Sequence, residues 1–243
     1  CADLFRYEKS GELTGLMRVR MFCLADAHIV ATPEQAKDEI SAVLDLIEYV
    51  NTVFGMVKGT DYRFRLSLGD RSDTKKYFKD DVAWDHAENV LREVLVERDA
   101  PFYEASNEAA FYGPKIDVQV KNVAGHEETA FTVQYDFVMP KRFKLTYIGS
   151  DAKEHEPIVI HRSSVGAFER TMAFLIEKYA GAFPVWLSPV QMTLVPIAER
   201  HGEKANEIAK VAQSAGIRVE IDAASEPMGA KVRRATLQKV PYI

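Results

Sequence analysis

The sequence predicts an α+β protein: a largely antiparallel sheet flanked by helices, followed by a smaller α/β domain that is incomplete. Three observations carry this. Strands with alternating faces follow one another through hairpin-length connections, and parallel neighbours would need a helix between them. Amphipathic segments of helical period flank those strands. Behind the proline-bounded stretch 184–189 (PVWLSP) the pattern switches to strand–helix–strand–helix. The expected division is therefore residues 1–187 and 188–243.

The first element is a strand pair, residues 3–8 and 16–22, around the turn-rich KSGELTG. Alternation sends Met17, Val19 and Met21 to one face and Arg18 and Arg20 to the other. A helix follows, with Thr32 as cap, Pro33 in the first turn and Gln35 completing a capping box. Ile40, Val43, Leu44, Ile47 and Val50 form its apolar stripe, and Gly55 ends it. Tyr62, Phe64, Leu66 and Leu68 alternate as a strand, and Trp84, Ala87, Val90, Leu91, Val94 and Leu95 mark a helix over 81–98. Strands are expected at 115–121, 129–137 and 157–161, then a helix at 165–179. In the smaller domain, strands at 192–197 and 217–221 alternate with helices at 203–215 and 228–238, and residues 240–243 begin another strand.

The chain has 243 residues, 47% hydrophobic and 28% charged, the balance of a globular domain, which excludes a disordered tail, a collagen or a disulfide scaffold. No apolar run reaches the roughly 18–20 residues of a membrane span. Cys1 and Cys23 are the only cysteines, so a reducing, cytoplasmic setting is expected. Residue 1 is Cys rather than Met, and both ends read as cut inside structure, so the chain is expected to be a piece of a longer protein. Residues 200–243 hold 8 basic and 5 acidic side chains, a net +3, against a formal −5 for the whole chain. That leaves −8 for residues 1–199, an acidic body with a basic end suited to touching a polyanion locally. The same distribution also fits ordinary solvated charge.

Arginine suits phosphate because its planar fork is permanently charged. Arg6 and Arg18 are expected on the two strands of the first hairpin, and Arg170 on the third long helix. Strand 129–137 sends Thr132, Gln134 and Asp136 to one face and Phe131, Val133, Tyr135 and Phe137 to the other. A polar face of this kind floors a ligand site, or is simply a solvated sheet face. Lys115, after the turn AFYGP, could reach an anion or merely end a strand. His28 and His161 have no local ligand spacing and read individually as core or surface histidines. No P-loop, H-E-x-x-H or G-x-S-x-G occurs.

Arg6-Tyr7-Glu8 with LMRVR at 16–20 closely resembles motif 2 of the class II aminoacyl-tRNA synthetases, and GAFER at 166–170 resembles motif 3. DAHI at 26–29, AFYGPKID at 110–117 and IHR at 160–162 narrow the likeness to the threonyl-tRNA synthetases. YAGAFPVWLSPVQ at 179–191 is similar to that family's passage into its anticodon-binding domain. The resemblance runs the length of the chain.

It implies an enzyme that joins threonine to tRNA(Thr) through a threonyl-adenylate, using ATP and Mg2+. Arg6 would contact the α-phosphate and Arg170 the γ-phosphate of a bent ATP. Glu8, Met17 and Arg18 would hold the adenine, with Phe22 stacked on it. Asp26, Tyr112, Lys115, Gln134 and Ala167 match positions on the amino-acid and adenylate side, Lys115 and Gln134 being counted with Arg6 and Arg170 as catalytic. His28 and His161 match two of three protein ligands of a Zn2+ that reads the threonine hydroxyl; the third, an upstream cysteine, is absent from this chain. Glu226, Lys231 and Arg233 match the anticodon-reading segment. A homodimer is implied for the parent protein, with no membrane association, and the fragment alone is expected to be inactive.

Departures from the family pattern are Met21 for Gly, Leu24 for Gln, Ala25 for an acid and Ala167 for Ser. Two alternatives stay open on the strings: a prolyl or seryl enzyme of the same class, and a synthetase-like protein that binds nucleotide or RNA without catalysis.

Overall fold

The computed structural model describes residues 1–243. Strand β1 (Ala2–Phe5) pairs antiparallel with β2 (Met21–Ala31), and helix α1 (Ala36–Val53) follows. Then come β3 (Tyr62–Leu68), α2 (Asp81–Glu97), β4 (Phe102–Ser106), β5 (Lys115–Lys121) and β6 (Glu127–Asp136). A short helix α3 (Met139–Phe143), a small hairpin β7 (Tyr147–Ile148) and β8 (Glu154–His155), the long β9 (Ile158–Ala167) and α4 (Phe168–Tyr179) complete this part. Two compact units divide at Phe174 and Leu175.

The first unit is built on one seven-stranded sheet of order β1-β2-β9-β6-β5-β3-β4. Every pairing is antiparallel except β3 with β4, whose connection runs through α2 as a parallel pair requires. Register explains which face is which. Ser67, Lys115, Gln134, His161 and His28 are successive partners across five strands and form one transverse row. Arg65, Asp117, Thr132, Ser163 and Asp26 form the next row on the same face. The other face presents Leu66, Ile116 and Val133 in one row and Phe64, Val118 and Phe131 in another, all fully buried. Helices α1 and α2 cover it, α1 through Ile40, Val43, Leu44 and Ile47, and α2 through Trp84, Leu91, Val94 and Leu95. Each such side chain contributes about 1.5–3 kcal/mol, so the helices are held to that face and the polar rows are left to line the opposite one.

Thr32 and Gln35 form the expected capping box, here around a 3-10 turn that leads into α1. Gly55 follows the helix at φ 68°. Three expectations are corrected. Residues 16–20 are not strand: the ladder of β1 and β2 ends with the Arg6 N–H on the Arg20 carbonyl at 2.8 Å. The chain between closes into turns held by Glu8, which accepts from Arg18 at 3.0 Å, and by a Thr14–Arg18 bridge around Gly15. Local ion pairing and a glycine at φ 46° outweigh the alternation of Met17 and Val19. The strand expected to end at 161 continues to Ala167, and α4 starts at Phe168 rather than 165. Its last part stays in the sheet because Gly166, at φ 72°, closes on β6: a Cβ there would stand 2.3 Å from the Ala130 carbonyl oxygen. The parallel edge strand β4 had no counterpart in the sequence reading.

The second unit holds β10 (Met192–Leu194), α5 (Gly202–Ser214), β11 (Val219–Ile221) and α6 (Met228–Leu237). β10 and β11 are parallel across α5, as the strand–helix alternation predicts. Tyr242 bridges to Met192 in parallel on the other side of β10.

Candidate active site

A cleft of about 280 Å³ lies over the polar face of the first unit, floored by Ala130, Thr132 and Gln134 of β6 and by His161 and Ser163 of β9. One end is basic. Arg170, in the first turn of α4, donates to the Thr129 carbonyl at 2.7 Å and to the Met17 carbonyl at 3.2 Å, tying the helix to the floor and to the 13–20 turn. Burial is the main force pushing its pKa below the usual arginine range; Glu128 opposes this, while Arg6 and Arg18 reinforce it. Like charges focused in a concave, part-buried site raise the local concentration of anions, and such an end is built for a polyphosphate. Arg6 lies 5.0 Å from the Phe22 ring centroid, and Phe22 is itself buried in the cleft wall. A flat aromatic and a guanidinium side by side suit a planar base joined to phosphate. Glu8 pairs with Arg18 at 2.9 Å.

The other end is an imidazole and carboxylate cluster. His28 and His161, 133 positions apart, are register partners with ring centroids 4.6 Å apart, edge to face. His161 Nε2 meets the fully buried Asp136 at 2.7 Å, and the second Asp136 oxygen accepts from the Val138 and Met139 N–H groups at 2.9 and 2.8 Å. That carboxylate orients the ring and leaves Nδ1 as its remaining nitrogen. Tyr112 stands 5.0 Å from the His161 ring and donates its hydroxyl to Gln134 Oε1. Asp26 is in the cleft wall beside them.

Burial, then the charges of Asp136 and Asp26, push the Tyr112 hydroxyl up to about 12. Tyr112 is therefore a neutral donor throughout the working range. Its raised pKa stabilises the fold below the unfolded tyrosine value near 10, and that contribution is lost as pH climbs towards 12. Spectrophotometric titration should show wild type losing alkaline stability more steeply between pH 10 and 12 than Tyr112→Phe. Indistinguishable alkaline profiles would contradict the assignment.

The structure brings Arg6, Glu8, Met17, Arg18, Phe22, Asp26, Tyr112, Gln134, His161, Ala167 and Arg170 to one cleft. His28 joins through His161. Lys115 does not line the cleft: its ammonium is 2.9 Å from the buried Asp117, which also holds Arg65 at 2.9 Å and Ser67 at 2.7 Å. In the second unit Lys231 and Arg233 lie on α6 and Glu226 lies just before it. Glu226 is exposed and pairs with Arg234, Lys231 is 5% exposed with its ammonium on the Pro196 carbonyl at 3.1 Å, and Arg233 is exposed. Sequence reasoning placed Thr132 and Asp136 on a candidate site floor without a specific role, and did not name Ser163 or Glu169. The alternation of Thr132 and Asp136 with Phe131, Val133 and Tyr135 was the signal for that floor. Glu169 accepts the Cys23 N–H at 3.1 Å beside the β2 irregularity, and no local pattern marks it.

Against known families, residues 1–179 match the tRNA synthetase class II core domain (G, H, P, S and T). The chain belongs to the class II tRNA synthetase core family. Residues 191–243 match an anticodon binding domain. The chain is 52% identical over 241 residues to the threonine–tRNA ligase of Anoxybacillus flavithermus, and 48% identical over 242 residues to that of Clostridium perfringens. Those matches cover 99–100% of this chain, which spans only 37% of the length of either relative. Its fold superposes on a structure described as the RNA binding domain of threonyl-tRNA synthetase from Cryptosporidium parvum (TM-score 0.90, 32% identity, 100% of this chain, 60% of the other). A putative threonyl-tRNA synthetase from Aeropyrum pernix follows at TM-score 0.82 and 29% identity, covering 99% of this chain and 57% of that one. The prolyl-tRNA synthetase of Giardia lamblia, at 20% identity and TM-score 0.65, shares the fold.

The class implies metals, and the donor set tests them. The basic end suits a magnesium-bridged polyphosphate. For zinc, the chain supplies the two imidazoles, but no group of three or more His, Cys, Asp or Glu is placed to hold a metal ion. A tetrahedral catalytic zinc takes three protein ligands, so His28 and His161 would supply only part of such a shell.

Proposed function

We propose that the protein containing this chain is a threonine–tRNA ligase: it activates threonine with ATP and passes the threonyl group to tRNA(Thr). The observation that carries the reading is the single cleft in which an arginine cluster and the His28–His161 pair face each other across Gln134 and Tyr112. Its two halves match the two halves of an aminoacyl-adenylate.

A carboxylate oxygen of threonine attacks the α-phosphorus of ATP; the new O–P bond forms as the bond to pyrophosphate breaks. No protein nucleophile is needed, so the residues act by alignment and charge neutralisation. Arg6 faces the α-phosphate, Arg170 neutralises the departing phosphates, and Phe22 stacks on the base, with Glu8, Met17 and Arg18 closing over it. Asp26 accepts from the threonine amino group, while Gln134, its amide oxygen held by the Tyr112 hydroxyl, turns its N–H towards the adenylate. Ala167 leaves its edge without a hydroxyl. Lys115 reaches the phosphates only by leaving Asp117. Zn2+, completed by a ligand outside the chain, would read the amino and hydroxyl groups of threonine, which valine cannot match.

Arg233 and Glu226 belong to the unit that would read anticodon bases; Lys231 supports that unit from inside. The division at 187 and 188, a homodimeric parent and a cytoplasmic setting are part of the same reading. No helix is long and apolar enough to cross a membrane.

Amino-acid-dependent ATP–pyrophosphate exchange by the longer protein tests the proposal. Threonine should support exchange about ten-thousandfold better than valine, well beyond the roughly hundredfold that an apolar pocket alone provides for near-isosteres. No preference for threonine over valine and serine would end the threonyl assignment.

A further inference from the structure

Residues 139–146 (MPKRFKLT) carry three cations and no acid in a chain of formal charge −5, and every side chain from 141 to 146 is exposed. Phe143 is 68% exposed among them, and α3 ends there, capped by Lys144 in a left-handed conformation at φ 53°. This segment packs beside a second set of rings. The Arg142 guanidinium lies 5.3 Å from the centroid of Phe111, itself 39% exposed, and Lys141 lies 5.9 Å from Phe78. The Phe78 N–H donates to the Phe111 carbonyl at 3.3 Å, joining the 70–80 loop, with Lys75 and Lys79 exposed, to the same ridge. Phe111 in turn stands edge to face on Tyr112 at 4.9 Å, and Tyr112 is in the cleft wall.

The acids nearby are largely committed. Asp73 accepts the Lys75 and Lys76 N–H groups, Asp80 caps α2 through the Ala83 N–H and pairs with Lys141, and Asp70 closes a turn on Ser72. Asp81 remains on the first turn of α2. None of these pairs with Arg142 or Lys144.

We propose that this ridge is a binding surface for a single-stranded RNA end, along which an unpaired 3′ terminus is guided past Phe143 and Phe111 into the cleft at Tyr112. The proposal rests on the function proposed above, since it supplies that cleft with its acceptor. Cations interleaved with exposed rings are the combination that binds unpaired nucleic acid: the rings stack on bases and the cations neutralise phosphates. A duplex would offer phosphates but no base faces to the rings. The continuity with Tyr112 gives the strand a destination.

The experiment uses the longer protein and three variants: Arg142→Glu, Lys144→Asn, which tolerates the left-handed backbone, and Phe143→Ala at an exposed position where folding is not at stake. Amino-acid-dependent pyrophosphate exchange, which involves no RNA, should stay within about twofold of wild type. The KM for tRNA should rise about tenfold in Arg142→Glu and in Phe143→Ala. The dependence of log K on log salt, measured by anisotropy with a labelled acceptor hairpin carrying a single-stranded 3′ end, should flatten by about 0.7 for each cation removed and stay unchanged in Phe143→Ala. Unchanged KM, affinity and salt slope in all three variants would overturn the ridge. So would wild-type binding to anionic vesicles that the variants abolish while RNA binding persists. Because the hairpin measurement needs no catalysis, loss of RNA affinity in the variants with no threonine exchange in wild type would reject the proposed activity and keep the surface.

Discussion

Replacing Arg170 with glutamine lowers threonine-dependent pyrophosphate exchange by the longer protein at least about a hundredfold, the scale of losing one donor that neutralises charge in a transition state. Arg170 is half-buried where Arg6 and Arg18 are exposed, and its fork is already aimed by the Met17 and Thr129 carbonyls. Binding a polyphosphate therefore costs it little reorganisation. Arg170→Lys should recover only part of the rate, since an ammonium cannot hold both carbonyls and present a second donor edge. The fold should tolerate the change: Arg170→Gln removes a buried charge repelled by Arg6 and Arg18, which offsets the lost hydrogen bonds. A melting temperature within a few degrees of wild type beside the collapsed exchange rate is the expected pair of results. Exchange within tenfold of wild type would remove Arg170 from the reaction.

Gly113→Ala is expected to give the largest loss of stability of any small substitution near the cleft. A Cβ at this position would stand 1.7 Å from the Tyr135 carbonyl oxygen and 2.9 Å from its carbon, both backbone atoms of a central strand. Neither side has room to yield. The Tyr135 N–H is bound to the Pro114 carbonyl at 3.0 Å, and Phe137 donates to the Tyr112 carbonyl at 3.4 Å, so the 110–114 turn is laced to β6. Overpacking usually costs 1–3 kcal/mol, and a clash with fixed backbone belongs at or above the top of that range, about 3 kcal/mol or more. Gly125→Ala is the control: its φ is 82°, but nothing lies within 4 Å, so it pays only backbone strain of about 1–2 kcal/mol. Urea unfolding of the two variants should separate them clearly. Because Tyr112 precedes Gly113, whatever Gly113→Ala protein folds should also lose exchange.

The strands whose faces alternate were legible for a local reason. Thr132, Gln134 and Asp136 against Phe131, Val133 and Tyr135 state which side of β6 meets the helices, and the register agrees. The Thr32 box and the stripe of α1 are equally local. What was not legible depends on distant partners. β2 and β9 are longer than their alternation suggests, because each is held by the other through Asp26, Ala27, His28 and Ile29. The edge strand β4 exists only through β3. Arg6 and Arg18 share the cleft from a loop rather than a hairpin, since Glu8 and Gly15 decide the backbone there. The meeting of His28 with His161 was an expectation of resemblance, not of spacing; cross-strand pairing over more than a hundred residues leaves no local trace. Lys115 looked free for an anion because its competitor, Asp117, reads as an ordinary alternating strand residue two positions along.

The most direct measurement is a crystal structure of the longer protein bound to a non-hydrolysable threonyl-adenylate analogue. The account predicts the base against Phe22, the phosphate mimic beside Arg6, and the threonyl hydroxyl turned towards the His28–His161 pair. An analogue bound away from the cleft, or one whose threonyl group points away from both imidazoles, would contradict it.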